Sequence, residues 1–60
     1  MKRYLYKNIH IIGRFPYYKA LYMTDGVRPF YLAWGNIETK EDVLKRARKQ
    51  IDRLNEELRG

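Results

Sequence analysis

The chain has 60 residues, with 13 Lys and Arg against 7 Asp and Glu, a net charge of +6, six tyrosines and no cysteine. That length sets one domain over residues 1–60 with a small core, burying only about 60% of the unfolded surface. The missing cysteine excludes disulfides and thiolate metal sites and fits a reducing, cytoplasmic compartment. No apolar run reaches the roughly 18 residues of a membrane span. Lys2 and Arg3 are not followed by the apolar stretch of a signal peptide.

In chain order, residues 4–34 are rich in Tyr, Ile, Phe and Trp, which favour pleated sheet. Punctuation divides them into three runs. Gly13 to Pro16 separates the first from the second, and Thr24-Asp25-Gly26 separates the second from the third. Asp-Gly between apolar runs signals a hairpin, because both residues tolerate positive φ. The reading is strand 1 over about 5–12, strand 2 over 17–23 and strand 3 over 27–34. Gly35-Asn36 then turns the chain into a helix over about 40–59. Its apolar stripe is Val43, Leu44, Ala47, Ile51, Leu54 and Leu58, at spacings of three and four. Thr39 followed by Asp42 resembles a capping box, and Glu41 and Asp42 suit the positive end of the helix dipole.

The fold expected is therefore α+β, a three-stranded antiparallel sheet packed against one C-terminal helix. Alternation assigns the faces. Leu5, Ile9 and Ile11 are placed under the helix, with Asn8, His10 and Ile12 on the opposite side. In strand 2, Tyr18, Ala20 and Tyr22 are set inward, because a small Ala20 lets the helix approach through Ala47. Tyr17, Lys19, Leu21 and Met23 then face out. In strand 3, Phe30, Leu32 and Trp34 share one side, and Tyr31 and Ala33 the other. One helix covers only one face of the sheet. The uncovered face is expected to carry Asn8, His10, Tyr17, Lys19 and Tyr31, with Arg14 and Arg28 at the turns.

Charge points to the same surface. Residues 1–36 hold six bases against one acid, Asp25, whereas residues 37–60 hold seven bases against six acids. A basic, aromatic sheet face attracts polyanions. Arg and Lys neutralise phosphates, Arg bridges guanine edges and Asn pairs with adenine edges. Lys2 and Arg3 form a basic arm suited to gripping the backbone. Catalysis is not expected. The chain has no Ser and no Cys, and its single histidine, His10, has no acid nearby in its strand. A nucleophile–base pair or a metal cluster needs convergent groups that this inventory lacks, so no cofactor and no metal are implied.

Residues 31–43, Tyr-Leu-Ala-Trp-Gly-Asn-Ile-Glu-Thr-Lys-Glu-Asp-Val, resemble the strand-to-helix passage of the plant ethylene-response-factor DNA-binding domain. Ile37-Glu38-Thr39 stands at that family's Phe-Asp-Thr place. The strand-strand-strand-helix order also resembles the N-terminal arm-site-binding domain of tyrosine integrases, with Arg3-Tyr4-Leu5-Tyr6-Lys7 as its opening. The resemblance implies a sheet inserted into the major groove. It places Tyr31 at an aromatic contact position, Tyr17 at a basic contact position and Arg14 near the basic positions of strand 1. The chain departs from the pattern at Leu21 and Met23, where charged contact residues are expected, and in two extra residues between Leu32 and Ile37. The function expected is duplex DNA binding through Lys2, Arg3, Asn8, His10, Arg14, Tyr17, Lys19, Arg28 and Tyr31, as part of a recombinase or as a phage regulator. The competing expectation is a protein-binding module, an inhibitor or adaptor, using Ile12, Leu21 and Met23 on the same face.

Overall fold

A computed structural model describes residues 3–59. A short 3-10 turn (Tyr6–Asn8) leads into strand β1 (Ile9–Arg14), followed by β2 (Tyr17–Thr24), β3 (Val27–Trp34) and helix α1 (Lys40–Arg59). The strands form one antiparallel sheet in the order β1-β2-β3. The expected α+β architecture is the one observed. β3 and α1 have the expected bounds, and β2 runs one residue further, to Thr24.

The first strand is displaced from the expected 5–12: it starts four residues later, at Ile9, and continues two residues further, to Arg14, because Gly13 and Arg14 pair with Tyr18 and Tyr17 in the ladder. Tyr6, Lys7 and Asn8 curl into the 3-10 turn instead of extending, so Leu5 lies outside the sheet. The cause is non-local. Asn55 of α1 clasps the backbone of Tyr4, its Oδ1 accepting from Tyr4 N at 2.7 Å and its Nδ2 donating to Tyr4 O at 3.0 Å. The Tyr22 hydroxyl accepts from Leu5 N at 3.2 Å and from Asn8 Nδ2 at 3.0 Å. These partners replace the ladder bonds a strand would have made.

Two turns close the hairpins. Phe15-Pro16, joined by a cis peptide bond, links β1 to β2, and Asp25-Gly26 links β2 to β3. Only Gly26 of the second pair takes a positive φ, +77°. Gly13 sits at φ +93°, where an added Cβ would stand 2.6 Å from the Tyr17 carbonyl oxygen. Before α1, the left-handed residue is Ile37 at φ +57°, not Gly35 or Asn36. Its amide donates to Pro16 O at 2.9 Å, which ties the helix approach to the first hairpin tip. Gly35 is small for a different reason: an added Cβ would stand 2.5 Å from Val43 Cγ2.

α1 starts at the expected cap, with Thr39 Oγ1 accepting from Asp42 N at 3.2 Å. The reciprocal bond, from the Thr39 amide to the Asp42 carboxylate, is not formed among the described residues. The helix lays Val43, Ala47 and Ile51 on Ala20, Tyr22, Leu32 and Ala33 of the sheet, and all seven are buried. Small Ala20, Ala33 and Ala47 occupy the middle of this interface, and aromatic rings fill one end. Tyr22 stacks on Phe30 with ring centroids 5.3 Å apart, and Tyr4 meets both rings edge-on. Among the described residues, no buried side-chain polar atom lacks a partner.

A register shift in β3 corrects the expected alternation. Ala20 pairs with Ala33, but Leu21 pairs with Tyr31, so Leu32 is an extra residue on β3. A bulge of this kind swaps the faces of everything beyond it. Leu32 and Ala33 are therefore both buried, at 9% and 6% exposure, while Trp34 moves to the uncovered side at 57%. The expected grouping of Trp34 with Phe30 and Leu32, and of Ala33 with Tyr31, does not hold.

Candidate nucleic-acid interface

Strand pairing orders the uncovered face into rows across the sheet. His10, Leu21 and Tyr31 form one row, Ile12, Lys19 and Trp34 the next, and Arg14 and Tyr17 the last. Met23 extends the face on β2. Every one of these side chains is exposed except Leu21, which is half-buried. None is acidic. Of the seven acids, Asp25 is in a turn and the other six follow Ile37, on α1 or just before it.

The face is partly ordered by its own contacts. The Tyr31 and Trp34 rings stack, with centroids 5.0 Å apart and planes 29° from parallel. Lys19 Nζ lies 5.9 Å from the Tyr31 ring centroid. A cation over an exposed ring of this kind contributes about 0.5–1 kcal/mol, and it holds the ammonium in place without neutralising it. Neither Arg14 nor Lys19 has a carboxylate partner within 4.0 Å among the described residues. These cations stand ready for an external anion.

Of the residues expected to bind, His10, Arg14, Tyr17, Lys19 and Tyr31 are brought together here. Arg28 is exposed at the start of β3, in an irregular stretch where Arg28 and Pro29 stand against Met23 alone. Asn8 is a correction. It is half-buried on the helix side, where its amide is committed to Tyr22, because the 3-10 turn precedes the strand that would have aimed it outward. Arg3 is also on the helix side, lining an open hollow with Tyr4, Leu5, Asn8, Tyr22 and Leu58. Lys2 lies outside the described residues.

Two features escaped the sequence. Trp34 joins the face only through the bulge at Leu32, and strict two-residue alternation cannot register a bulge. The second is a flank of α1. Seven bases and six acids after residue 36 are numerous enough to pair along the helix, yet within the described residues only Arg46–Glu38 (2.5 Å) and Arg59–Glu56 (4.0 Å) are paired.

Among the described residues no helix is long and apolar enough to cross a membrane. Comparison with protein-family models, with curated proteins and with solved structures finds no match to this chain.

Proposed function

We propose that this chain binds duplex DNA without catalysis, laying the uncovered face of its sheet in the major groove. The observation that carries the reading is the face itself: basic and aromatic groups in cross-strand register, with no acid among them. Three strands at about 4.8 Å spacing span about 10 Å, which suits a groove about 12 Å wide. Arg14 and Lys19 neutralise phosphate or reach guanine edges, His10 adds a donor, and Tyr17, Tyr31 and Trp34 lie against sugars and the thymine methyl group. The resemblance of the strand-strand-strand-helix order to the ethylene-response-factor and integrase domains supports the same use of the sheet.

A protein partner is the second reading, favoured by exposed Ile12, Met23 and Trp34 on this face. Salt separates the two. Phosphate contacts weaken affinity steeply as salt rises, by about 0.9 in the log–log slope per contact, whereas an apolar interface responds little. The test is an NMR titration of the labelled chain with a short duplex, at low and then at high salt. Shifts at residues 10–23 and 31–34 that vanish with salt support the reading. The absence of shifts at low salt overturns it and leaves the protein partner.

A further inference from the structure

A groove runs between the β3 edge and α1, lined by Leu32, Ala33, Trp34, Arg46, Lys49, Gln50 and Arg53, with a volume of about 350 Å³. Its charged lining is wholly basic. Arg46 donates to the Trp34 carbonyl and to Glu38, so it is already engaged and pins the groove mouth. Lys49 and Arg53 are exposed and have no carboxylate within 4.0 Å among the described residues. Glu57, one turn beyond Arg53, makes no ion pair with it. Like charges four apart on a helix destabilise it by about 0.2–0.5 kcal/mol. Helix stability therefore does not account for this pair.

The opposite flank of α1 is different. There Arg48 lies over the Tyr6 ring, and Asp52 accepts the Tyr6 hydroxyl, which leaves an acid beside the β1 edge. On the β3 flank, Lys49 and Arg53 offer an anion two cations without a carboxylate partner among the described residues.

We propose that this groove takes the sugar–phosphate backbone that walls the bound major groove, an inference that rests on the duplex reading of the sheet face. A sheet inserted in a major groove about 8.5 Å deep has a sugar–phosphate backbone along each side, and Lys49 and Arg53 lie on the α1 flank next to the β3 edge. Trp34 belongs to both surfaces, so the two are continuous around the β3 edge. Lys49 and Arg53 each meet one phosphate, and their placement on one flank fixes which sheet edge faces which wall.

The test uses the Lys49→Gln/Arg53→Gln double variant. Duplex affinity is read through Trp34 fluorescence as salt rises from about 50 to about 200 mM. The control is Lys45→Gln/Arg59→Gln, which removes the same charge from positions outside the groove. The groove variant is expected to lose about 1.8 from the log–log salt slope, about 0.9 per phosphate, while the control loses less than half as much. The exchanged pair Lys49→Arg/Arg53→Lys is expected to keep the wild-type slope. Circular dichroism melts check that all variants fold. Binding with an unchanged slope in the groove variant, or an equal loss in the control, overturns the groove while leaving the sheet face intact. No duplex binding by the wild-type chain overturns both.

Discussion

Along β2, Ala20 and Tyr22 lie under the helix, while their immediate neighbours Lys19, Leu21 and Met23 point the other way. The covered side is chemically complete: the Tyr22 hydroxyl holds two donors, the aromatic rings interlock, and the described residues leave no buried polar side-chain atom unpaired. The open side is not. It holds two stacked rings, unpaired cations and bare aliphatic groups, which none of the described residues covers. A strand two-faced in this way lets a very small domain separate what holds it together from what it offers to a partner. The separation can be tested by substituting residues close together in sequence whose faces the bulge divides.

Leu32 and Trp34 give the largest contrast. Simple alternation puts them on one face, whereas the bulge buries Leu32 and exposes Trp34. Leu32→Ala is expected to lose about 2–5 kcal/mol through the cavity it leaves, much of the stability of so short a chain. Trp34→Ala is expected to lose about 0.5–1.5 kcal/mol, for its stack on Tyr31. Urea denaturation followed by far-ultraviolet circular dichroism, which does not depend on tryptophan, measures both. Equal losses would restore the unbulged register and remove Trp34 from the interface.

The same bulge marks the limit of what could be read from the sequence. The helix was legible because its stripe, its Thr39 cap and its acidic first turn are local signals that agree. β3 was legible in extent because Asp25-Gly26 and Gly35 bracket it. Its faces were not, since a single unpaired residue leaves no compositional trace. The start of β1 misled because Tyr-Leu-Tyr has the composition of a strand, and the groups that bend it, Asn55 and Tyr22, lie far away in sequence. Of the candidate site, the rows through His10, Arg14, Tyr17, Lys19 and Tyr31 followed from alternation once the hairpins were placed. Asn8 was lost with the residues that did not join β1. The β3 flank of α1 stayed hidden because helical spacing shows which charges can pair, not which do.

A smaller effect tests the tie between the hairpin tip and the helix. Ile37 is 72% exposed and left-handed at φ +57°, a conformation that costs a residue with a Cβ about 1–2 kcal/mol. Ile37→Gly removes that strain and gives back about 0.5–1 kcal/mol in unfolded-state entropy. The net expectation is a gain of about 0.5–1 kcal/mol, seen as a higher urea midpoint at unchanged slope. A loss would mean that the Ile37 side chain supports the fold in spite of its exposure, and that the tip is part of the covered side.

The smallest effect concerns the β1 flank, where Tyr6 joins the N-terminal segment to the helix. The hydroxyl donates to Asp52 Oδ1, and this hydrogen bond is the main reason the phenol is raised above its ordinary value of 10.0. Lesser contributions come from desolvation and the Asp52 charge, and Arg48 over the ring opposes them. A raised value means that the folded chain keeps a proton the unfolded chain has released. The stabilisation is therefore full below about pH 10 and fades as pH climbs through the folded-state value. Other tyrosines and lysines titrate in the same range, so the informative quantity is the stability difference between wild type and Tyr6→Phe. That difference is expected to shrink on alkaline titration, and Asp52→Asn is expected to weaken its pH dependence. A pH-independent difference would reduce Tyr6 to a packing contact through its ring, and the Asn55 clasp on Tyr4 would then be the hydrogen-bonded tie between the N-terminal segment and α1 among the described residues.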